Sequence, residues 1–267
     1  MTEERRPRSK PTEDRKLLRS APRADVSFLD SDAWRALRIT GEFVEGFDTL
    51  ARLGSAVTIF GSARTKPEHP YYLTATELAG RLAHRGITVI TGGGPGIMEA
   101  ANKGAAEAGG VSVGLGIELP HEQAINRYCN IAVNFRYFFI RKTMFVKYAQ
   151  GFVIFPGGFG TFDELFESLT LVQTGKIDHF PVILYGRAYW QPLVDWLQDT
   201  VAEANMISPV DLALFRVTDD LDEIMNLLEK SLVEADAAER AAEQSPVGED
   251  PIEAARERRE QLTRHPE

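Results

Sequence analysis

The residues best placed to do chemistry lie in one short stretch, IFPGGFGTFDE, at residues 154–164. Three glycines, a threonine and two carboxylates fall within eight residues of it, where an apolar run changes into a helical pattern. A glycine-rich turn before a helix exposes backbone N–H groups, and the helix dipole adds partial positive charge, so such a turn suits a phosphate. A neighbouring carboxylate can stabilise positive charge or activate water. The stretch therefore predicts a phosphate site with an acidic group beside it.

A purely structural explanation also fits part of this stretch. Thr161 and Glu164 have the spacing of a capping box, with Thr161 as the N-cap and Glu164 reaching back to its backbone N–H. Such a cap contributes about 1 kcal/mol. It does not require Gly157, Gly158 and Gly160 before it, so a functional explanation is favoured, with Thr161 at the helix start in either case.

Two more glycine turns follow short apolar runs earlier in the chain. Gly61 and Ser62 follow residues 56–60, and a GGGPG turn follows residues 87–90 with its glycines at Gly92, Gly93, Gly94 and Gly96. In parallel sheets, ligands bind beyond the carboxyl ends of the strands. The three turns are therefore expected to converge on one crevice.

A cationic segment precedes the third turn. Residues 134–144, NFRYFFIRKTM, place Arg141 and Lys142 among aromatic side chains on a predicted helix. The two cations can clamp a phosphate and a sugar. The alternatives are a solvated helix face for the charges and core packing for the aromatic rings. The position of the segment, one βα unit from the glycine turn, favours the clamp.

These residues depend on alternating strands and helices for their positions. Short β-branched and aromatic runs predict strands at 56–60, 87–90, 111–113, 152–155 and 181–185. Helical patterns lie at 32–53, 71–85, 97–108, 136–150, 162–174, 188–204 and 219–234. Asp30 or Ser31 is the expected N-cap of the first. The alternation predicts an α/β fold in three layers, a parallel sheet with helices on both faces.

The predicted domain is single and spans residues 30–234. Residues 1–29 are expected to be a disordered basic tail, and residues 235–267 a charged tail that is disordered or loosely helical. The basic tail is interrupted by acidic residues, and the net charge of the 267-residue chain is −9, which argues against nucleic acid as the main partner. No apolar run is long enough for a membrane span, and the single cysteine fits a cytoplasmic protein.

Several well-known cofactor motifs are absent. A dinucleotide fingerprint would need glycine at position 97 or 163, where Ile97 and Asp163 stand. No glycine loop is followed by the Gly-Lys-Ser/Thr of a P-loop, and the five histidines are dispersed. We therefore expect no cofactor and no metal site.

Three motifs in order resemble the LOG ("Lonely guy") family: GGGPGIMEAA at 92–101, the Arg141-Lys142 pair, and PGGFGTFDE at 156–164. The resemblance covers about residues 55–215. It implies a Rossmann-like fold, a homodimer or larger assembly, and a phosphoribohydrolase. Such an enzyme hydrolyses the N-glycosidic bond of a nucleoside 5′-monophosphate, such as AMP or N6-modified AMP (a cytokinin riboside monophosphate), to free base and ribose 5-phosphate.

The resemblance also implies roles for individual residues. Glu164 and Arg141 correspond to the catalytic glutamate and arginine. The 5′-phosphate would be held by Gly157, Gly158, Gly160 and Thr161, with Lys142 beside it and Thr170 facing the site. Glu99 stands where shorter, plant-like members have glycine, and ELPHE at 118–122 also suggests a longer bacterial subgroup.

Two other functions remain open at this point. A carrier or sensor of nucleotide or molybdenum cofactor uses the same fold without releasing base, and an enzyme acting on another phosphorylated ribose compound would share the loops. Members of the family have also been labelled lysine decarboxylases, a label rejected here because no lysine in a recognisable pyridoxal-phosphate context is present.

Overall fold

The computed structural model describes residues 12–18, 27–119, 124–177 and 180–244. By its internal contacts the chain forms two units, Met1–Ser231 and Leu232–Glu267. The first contains all the strands described below. Residues 120–123, which include the end of ELPHE, and most of both predicted tails lie outside the described residues. The tail boundaries stay predictions.

Helices and strands alternate along the described chain, as the sequence indicates. The helices are α1 (Glu13–Leu17), α2 (Ser27–Leu50), α3 (Pro70–His84), α4 (Ile97–Glu107), α5 (Phe138–Tyr148), α6 (Phe159–Gln173), α7 (Arg187–Trp196) and α8 (Leu221–Gln244). The strands are β1 (Ala56–Phe60), β2 (Thr88–Thr91), β3 (Ser112–Ile117), β4 (Ile131–Phe135), β5 (Phe152–Ile154), β6 (Val182–Tyr185) and β7 (Arg216–Thr218). A π-helical turn, Leu197–Ala202, follows α7, and a 3₁₀ helix spans Pro209–Leu214.

The seven strands form one parallel sheet in the order β4-β3-β2-β1-β5-β6-β7, flanked by helices. The predicted α/β fold is therefore confirmed. The first strand, β1, lies in the middle of the sheet, and the next three strands add outward as far as β4. The chain then crosses back and places β5 on the other side of β1. Every residue of β1, β2 and β5 is buried, which explains their uninterrupted apolar sequences.

Two strands were not predicted, and both lie at sheet edges. In β4 burial alternates, so that Val133 and Phe135 are buried whereas Ala132 and Asn134 are exposed. The strand at the opposite edge, β7, has only three residues. Edge strands are covered less than central ones, so they lack the continuous apolar run that revealed the others.

Several predicted helix boundaries differ from the observed ones, including the end of α8, which lies at Gln244 and not at residue 234. Helix α2 begins at Ser27, so neither Asp30 nor Ser31 is its N-cap. The last predicted turns of the helix at 188–204 are π-helical, because α7 ends at Trp196. No helix in the described ranges is both long and apolar enough to cross a membrane.

Aromatic packing fixes the central elements relative to one another. The ring of Phe60, at the end of β1, packs edge-on against Phe145 of α5 and Phe152 of β5, with centroid distances of 5.0 and 5.2 Å. All three side chains are buried. Helix α5 is thus held against the carboxyl end of β1, where the predicted crevice begins.

Candidate functional site

A cavity of about 920 Å³ opens at the carboxyl ends of β1 and β5, where the strand order reverses. Parallel α/β sheets bind ligands at such a point because the loops after the two strands diverge. The backbone N–H of Ser62 donates a hydrogen bond to the carbonyl of Pro156 at 3.0 Å, joining the two loops. The predicted site residues lining the cavity are Gly61, Ser62, Gly92, Arg141, Gly157, Gly158, Gly160, Thr161 and Glu164.

The glycine turn at residues 157–160 leads directly into α6. The N-cap is Gly158, and no side chain caps this helix. Thr161 instead lies in the first turn, where its N–H donates to the carbonyl of Gly158 at 2.9 Å. The predicted capping box of Thr161 and Glu164 is therefore wrong. Because the first N–H groups of a helix have no intrahelical acceptor, this uncapped start is suited to an anion.

Gly157 is required by a close approach of the Thr161 side chain. A Cβ atom at position 157 would lie 2.0 Å from the Thr161 hydroxyl oxygen. The carbonyl of Gly157 also accepts a hydrogen bond of 2.6 Å from the hydroxyl of Tyr189. By contrast, a Cβ at Gly158 or Gly160 would meet nothing within 4 Å. The turn is thus tightly packed at its first glycine and open at the next two.

Glu164 lies one turn after the glycine loop, almost fully buried. Its Oε1 is 3.8 Å from Nη2 of Arg141, on the neighbouring helix α5. Burial raises the pKa of Glu164 to about 7, although the charges of Arg141 and Lys142 oppose the rise. A carboxyl group with this pKa exchanges a proton readily at neutral pH, as general acid–base catalysis requires.

Arg141 is held among aromatic rings. Its guanidinium carbon lies 5.1 Å from the ring centroid of Phe138 and 5.5 Å from that of Phe145. Burial lowers the pKa of Arg141, and the nearby carboxylate of Glu164 opposes this effect. Its Nε is buried and makes no hydrogen bond. Because Arg141 lines the cavity, the accessible part of its guanidinium can donate hydrogen bonds to a ligand there.

Five predicted substrate-binding residues do not line the cavity: Gly93, Gly94, Gly96, Lys142 and Thr170. The Nζ of Lys142 lies 2.8 Å from carboxylate oxygens of both Asp163 and Glu167, so it joins α5 to α6. The hydroxyl of Thr170 donates to the carbonyl of Phe166 at 2.7 Å within α6. Neither interaction is visible in a local sequence motif.

The GGGPG turn plays two roles. Gly92 lines the cavity, and a Cβ there would lie 2.8 Å from the sulfur of Met98 and 3.7 Å from Nη1 of Arg141. Gly96 supports the neighbouring loop, because its φ is +70° and a Cβ would meet the carbonyl oxygen of Ser62 at 2.3 Å. Ile97 N–H donates to that same carbonyl at 3.0 Å. The turn thus fixes the loop after β1.

Gly93 and Gly94 are held from outside the cavity by a side chain that the sequence analysis missed. The Nδ2 of Asn126 lies 3.1 Å from the carbonyl oxygens of both glycines and 2.9 Å from Oδ1 of Asn102. Asn102 is buried and also accepts a hydrogen bond from Thr91. Asparagines in a connecting segment give no signal of such a role.

Other residues at the cavity were also missed. They are Arg64 and His69 on the loop after β1, Phe159 and Tyr189, together with the apolar side chains Met98, Ile117, Leu119, Phe138 and Phe145. Arg64 lies two residues after Ser62, so its position at the cavity could have been predicted from the Gly61-Ser62 turn. Phe159, the first residue of α6, is 94% exposed at the site.

Within the described ranges, no cluster of three or more His, Cys, Asp or Glu side chains is arranged to hold a metal ion. Among the described residues that line the cavity there is also no lysine. A pyridoxal-phosphate decarboxylase needs a lysine to form the Schiff base. The described residues of this cavity do not fit that cofactor.

Comparisons with known proteins place these features in a family. Residues 98–228 match a family model described as "Possible lysine decarboxylase". The chain is 31% identical over 165 residues to the cytokinin riboside 5′-monophosphate phosphoribohydrolase of Mycobacterium marinum, covering 60% of this chain and 86% of that one. It is 32% identical over 146 residues to the pyrimidine/purine nucleotide 5′-monophosphate nucleosidase of Escherichia coli, covering 49% of this chain but only 32% of that one.

The solved structures support the fold. The molybdenum cofactor carrier protein of Chlamydomonas reinhardtii is 22% identical, with a TM-score of 0.52, and the alignment covers 67% of this chain and 99% of that one. At this identity the likeness concerns the arrangement of strands and helices.

Proposed function

Because the chain belongs to the LOG family, we propose that it is a nucleoside 5′-monophosphate phosphoribohydrolase. It hydrolyses the N-glycosidic bond of AMP or N6-modified AMP and releases free base and ribose 5-phosphate. The observation that carries this proposal is the buried pair of Glu164 and Arg141, which lines the same cavity as the uncapped start of α6.

The start of α6 binds the 5′-phosphate. Its first N–H groups and the helix dipole attract an anion, and the open space at Gly158 and Gly160 lets phosphate oxygens approach the backbone. Arg141 and Arg64 are the arginines lining the cavity among the described residues. The phosphate supplies binding energy remote from the bond that breaks, so nucleotides are preferred over nucleosides.

Glu164 performs the proton chemistry. As the C1′–N bond breaks, its electron pair goes to the base nitrogen, which takes up a proton from solvent water, and positive charge develops at C1′. The ionised carboxylate stabilises that charge and accepts a proton from the water that attacks C1′. Arg141 orients the substrate; its fixed positive charge makes it a poor proton donor.

The apolar side of the cavity receives the base. Met98, Phe138 and Phe145 line it together with the exposed ring of Phe159. Flat, weakly polar groups such as nucleobases pack well against such side chains. The same surface accommodates an apolar substituent at N6 of adenine.

The test is incubation of the purified protein with AMP, GMP, CMP, UMP and N6-isopentenyl-AMP, followed by chromatography of the released base and assay of ribose 5-phosphate. We expect both products from AMP or its N6-modified form, in equal amounts, and none from adenosine, which is incubated in parallel as the nucleoside control. Tight binding of a nucleotide without release of any base would favour a carrier instead and would refute the proposal.

We further propose that the protein assembles as a homodimer or larger homo-oligomer through α2. This helix exposes Trp34, Leu37 and Val44, whose 3- and 7-residue spacing forms one apolar stripe. Light scattering should give a mass above that of one chain, and Leu37→Glu should lower it. A monomeric wild-type protein would contradict this.

A further inference from the structure

We propose that Asp14, on the short helix α1, is a positioning residue that holds the start of α5 and thereby the Arg141 side of the cavity. The proposal rests on the proposed function in that Arg141 orients the substrate. Helix α1 lies within residues 1–29, which the sequence suggests are a tail, and outside the span 98–228 that the family model matches.

Helix α5 has no cap of its own. Its N-cap residue is Tyr137, whose side chain makes no capping hydrogen bond, and the first turn contains no acidic residue. The N–H of Phe138, the first residue of the helix, instead donates to Oδ1 of Asp14 at 3.3 Å. A carboxylate at a helix N-terminus satisfies a free N–H and interacts favourably with the dipole. Asp14 therefore does for α5 what a local N-cap residue normally does.

Several contacts anchor α1 in place. The hydroxyl of Thr12 caps it by accepting from the N–H of Arg15 at 3.3 Å. Glu13 is 7% exposed, and its carboxylate lies 3.5 Å from the guanidinium of Arg38 on α2. Leu17 packs against the main hydrophobic cluster. These contacts hold Asp14 at the start of α5.

The start of α5 is part of the cavity. Phe138 and Arg141, one turn apart on α5, both line it, and the guanidinium of Arg141 stacks on the ring of Phe138. Because Nε of Arg141 makes no hydrogen bond, its orientation depends on this stacking and on the surrounding charges. Asp14 is one of those charges and attracts Arg141. Fraying of the first turn of α5 would move Phe138 and release Arg141.

Burying the carboxylate of Asp14 costs folding free energy, which argues that Asp14 has a role beyond stabilising the fold. Burial raises its pKa, and the neighbouring carboxylate of Glu118 adds to the rise, although Phe138 N–H and Arg141 oppose it. Its Oδ2 is buried without a hydrogen-bond partner. An asparagine would accept the same hydrogen bond from Phe138 without burying a charge.

The experiment compares Asp14→Ala and Asp14→Asn in the full chain, with Asp48→Asn, an exposed carboxylate on α2, as the control. Hydrogen exchange of the Phe138 amide is measured by NMR, alongside AMP affinity and kcat/KM. We expect Asp14→Ala to speed that exchange and to lower kcat/KM by about five-fold, which is the change in population of the ordered helix start that the typical stability cost of a lost cap produces. Asp14→Asn keeps the hydrogen bond from Phe138 but loses the charge that attracts Arg141. It should therefore match wild type in exchange and lie between wild type and Asp14→Ala in affinity and kcat/KM. Asp48→Asn should match wild type in all three.

The proposal would be overturned by unchanged Phe138 exchange in Asp14→Ala, by faster exchange with unchanged affinity and kcat/KM, or by equal losses in Asp14→Asn and Asp14→Ala. If wild type releases no base, the proposed function fails, whereas exchange and AMP affinity still decide the role of Asp14. A general loss of exchange protection throughout the domain in Asp14→Ala would indicate a structural role only and would also overturn it.

Discussion

The guanidinium of Arg141 and the carboxylate of Glu164 lie 3.8 Å apart between two adjacent helices, with side-chain exposures of 14% and 7%. At this distance the arginine favours the ionised carboxylate, yet burial outweighs it and raises the pKa of Glu164 to about 7. Glu164 is therefore divided between its acid and its carboxylate form at neutral pH. A group in this state is costly for folding and useful for proton transfer.

The first prediction concerns the activity of a Glu164→Gln variant. Glutamine has nearly the same shape but neither accepts a proton from water nor carries charge, so kcat/KM for AMP should fall by about 10²–10⁴-fold. The matched control is Asp163→Asn, the preceding carboxylate, which is half exposed and bonds to Lys142. It should retain most of the activity. Full activity in Glu164→Gln would show that Glu164 is not the catalytic carboxylate.

The second prediction concerns the stability of the same variant as pH changes. The pKa of Glu164 is about 7 in the folded protein against 4.5 ordinarily, so the folded state holds the proton more tightly. Protonation of Glu164 therefore stabilises the folded protein fully below about pH 4.5. This stabilisation is lost as the pH rises through about 7, which changes the free energy of unfolding by roughly 3 kcal/mol. Glu164→Gln should therefore have a higher Tm than wild type at pH 8, and this gain should disappear at pH 4. A difference in Tm that is the same at both pH values would contradict the raised pKa.

The third prediction separates charge from geometry at Arg141. Arg141→Ala should lower kcat/KM by about ten- to a hundred-fold, the usual cost of a lost hydrogen bond to a charged group. Arg141→Lys should not restore it, because an ammonium group cannot reproduce the planar fork that stacks on Phe138. Lys147→Ala, on the same helix, is the control. Parallel losses of Tm and activity in Arg141→Ala would point instead to a structural arginine.

The fourth prediction uses neighbouring glycines. Gly157→Ala places a methyl group 2.0 Å from the Thr161 hydroxyl, so the turn must shift, and kcat/KM should fall with a lower Tm. Gly158→Ala meets nothing within 4 Å and keeps its backbone N–H, so its Tm should equal that of wild type. Thermal unfolding and AMP turnover of the pair test this. Equal Tm values for the two variants would refute the close approach.

The sequence predicted those parts of the fold that depend on local composition. Central strands such as β1 and β5 are buried throughout, and glycine turns mark where they end, so both the sheet and the crevice were predictable. The edge strand β4 was missed because two of its five residues are exposed. The start of α6 was also wrong, because Thr161 and Glu164 have capping-box spacing whereas the chain already turns helical after Gly158.

The remaining features of the site depend on contacts between residues that are far apart in the sequence. Lys142 has the sequence position of a phosphate ligand, but Asp163 and Glu167 hold it along α6. Tyr189 reaches the carbonyl of Gly157 from a helix that begins after β6, and no local pattern indicates this contact. Asp14 likewise contacts a helix far along the chain. Such contacts depend on the folded arrangement of whole elements.

The hydrogen bond from Ser62 to Pro156 also has a consequence for biosynthesis. It joins the loop after β1 to the loop after β5, so the cleft needs both strands side by side. At a synthesis rate of about 5–20 residues per second, β5 leaves the ribosome roughly 5–20 s after β1. During that interval one edge of β1 has no strand to pair with. A nascent chain that ends before Pro156 thus carries two of the three glycine turns and has not yet formed the cleft between them.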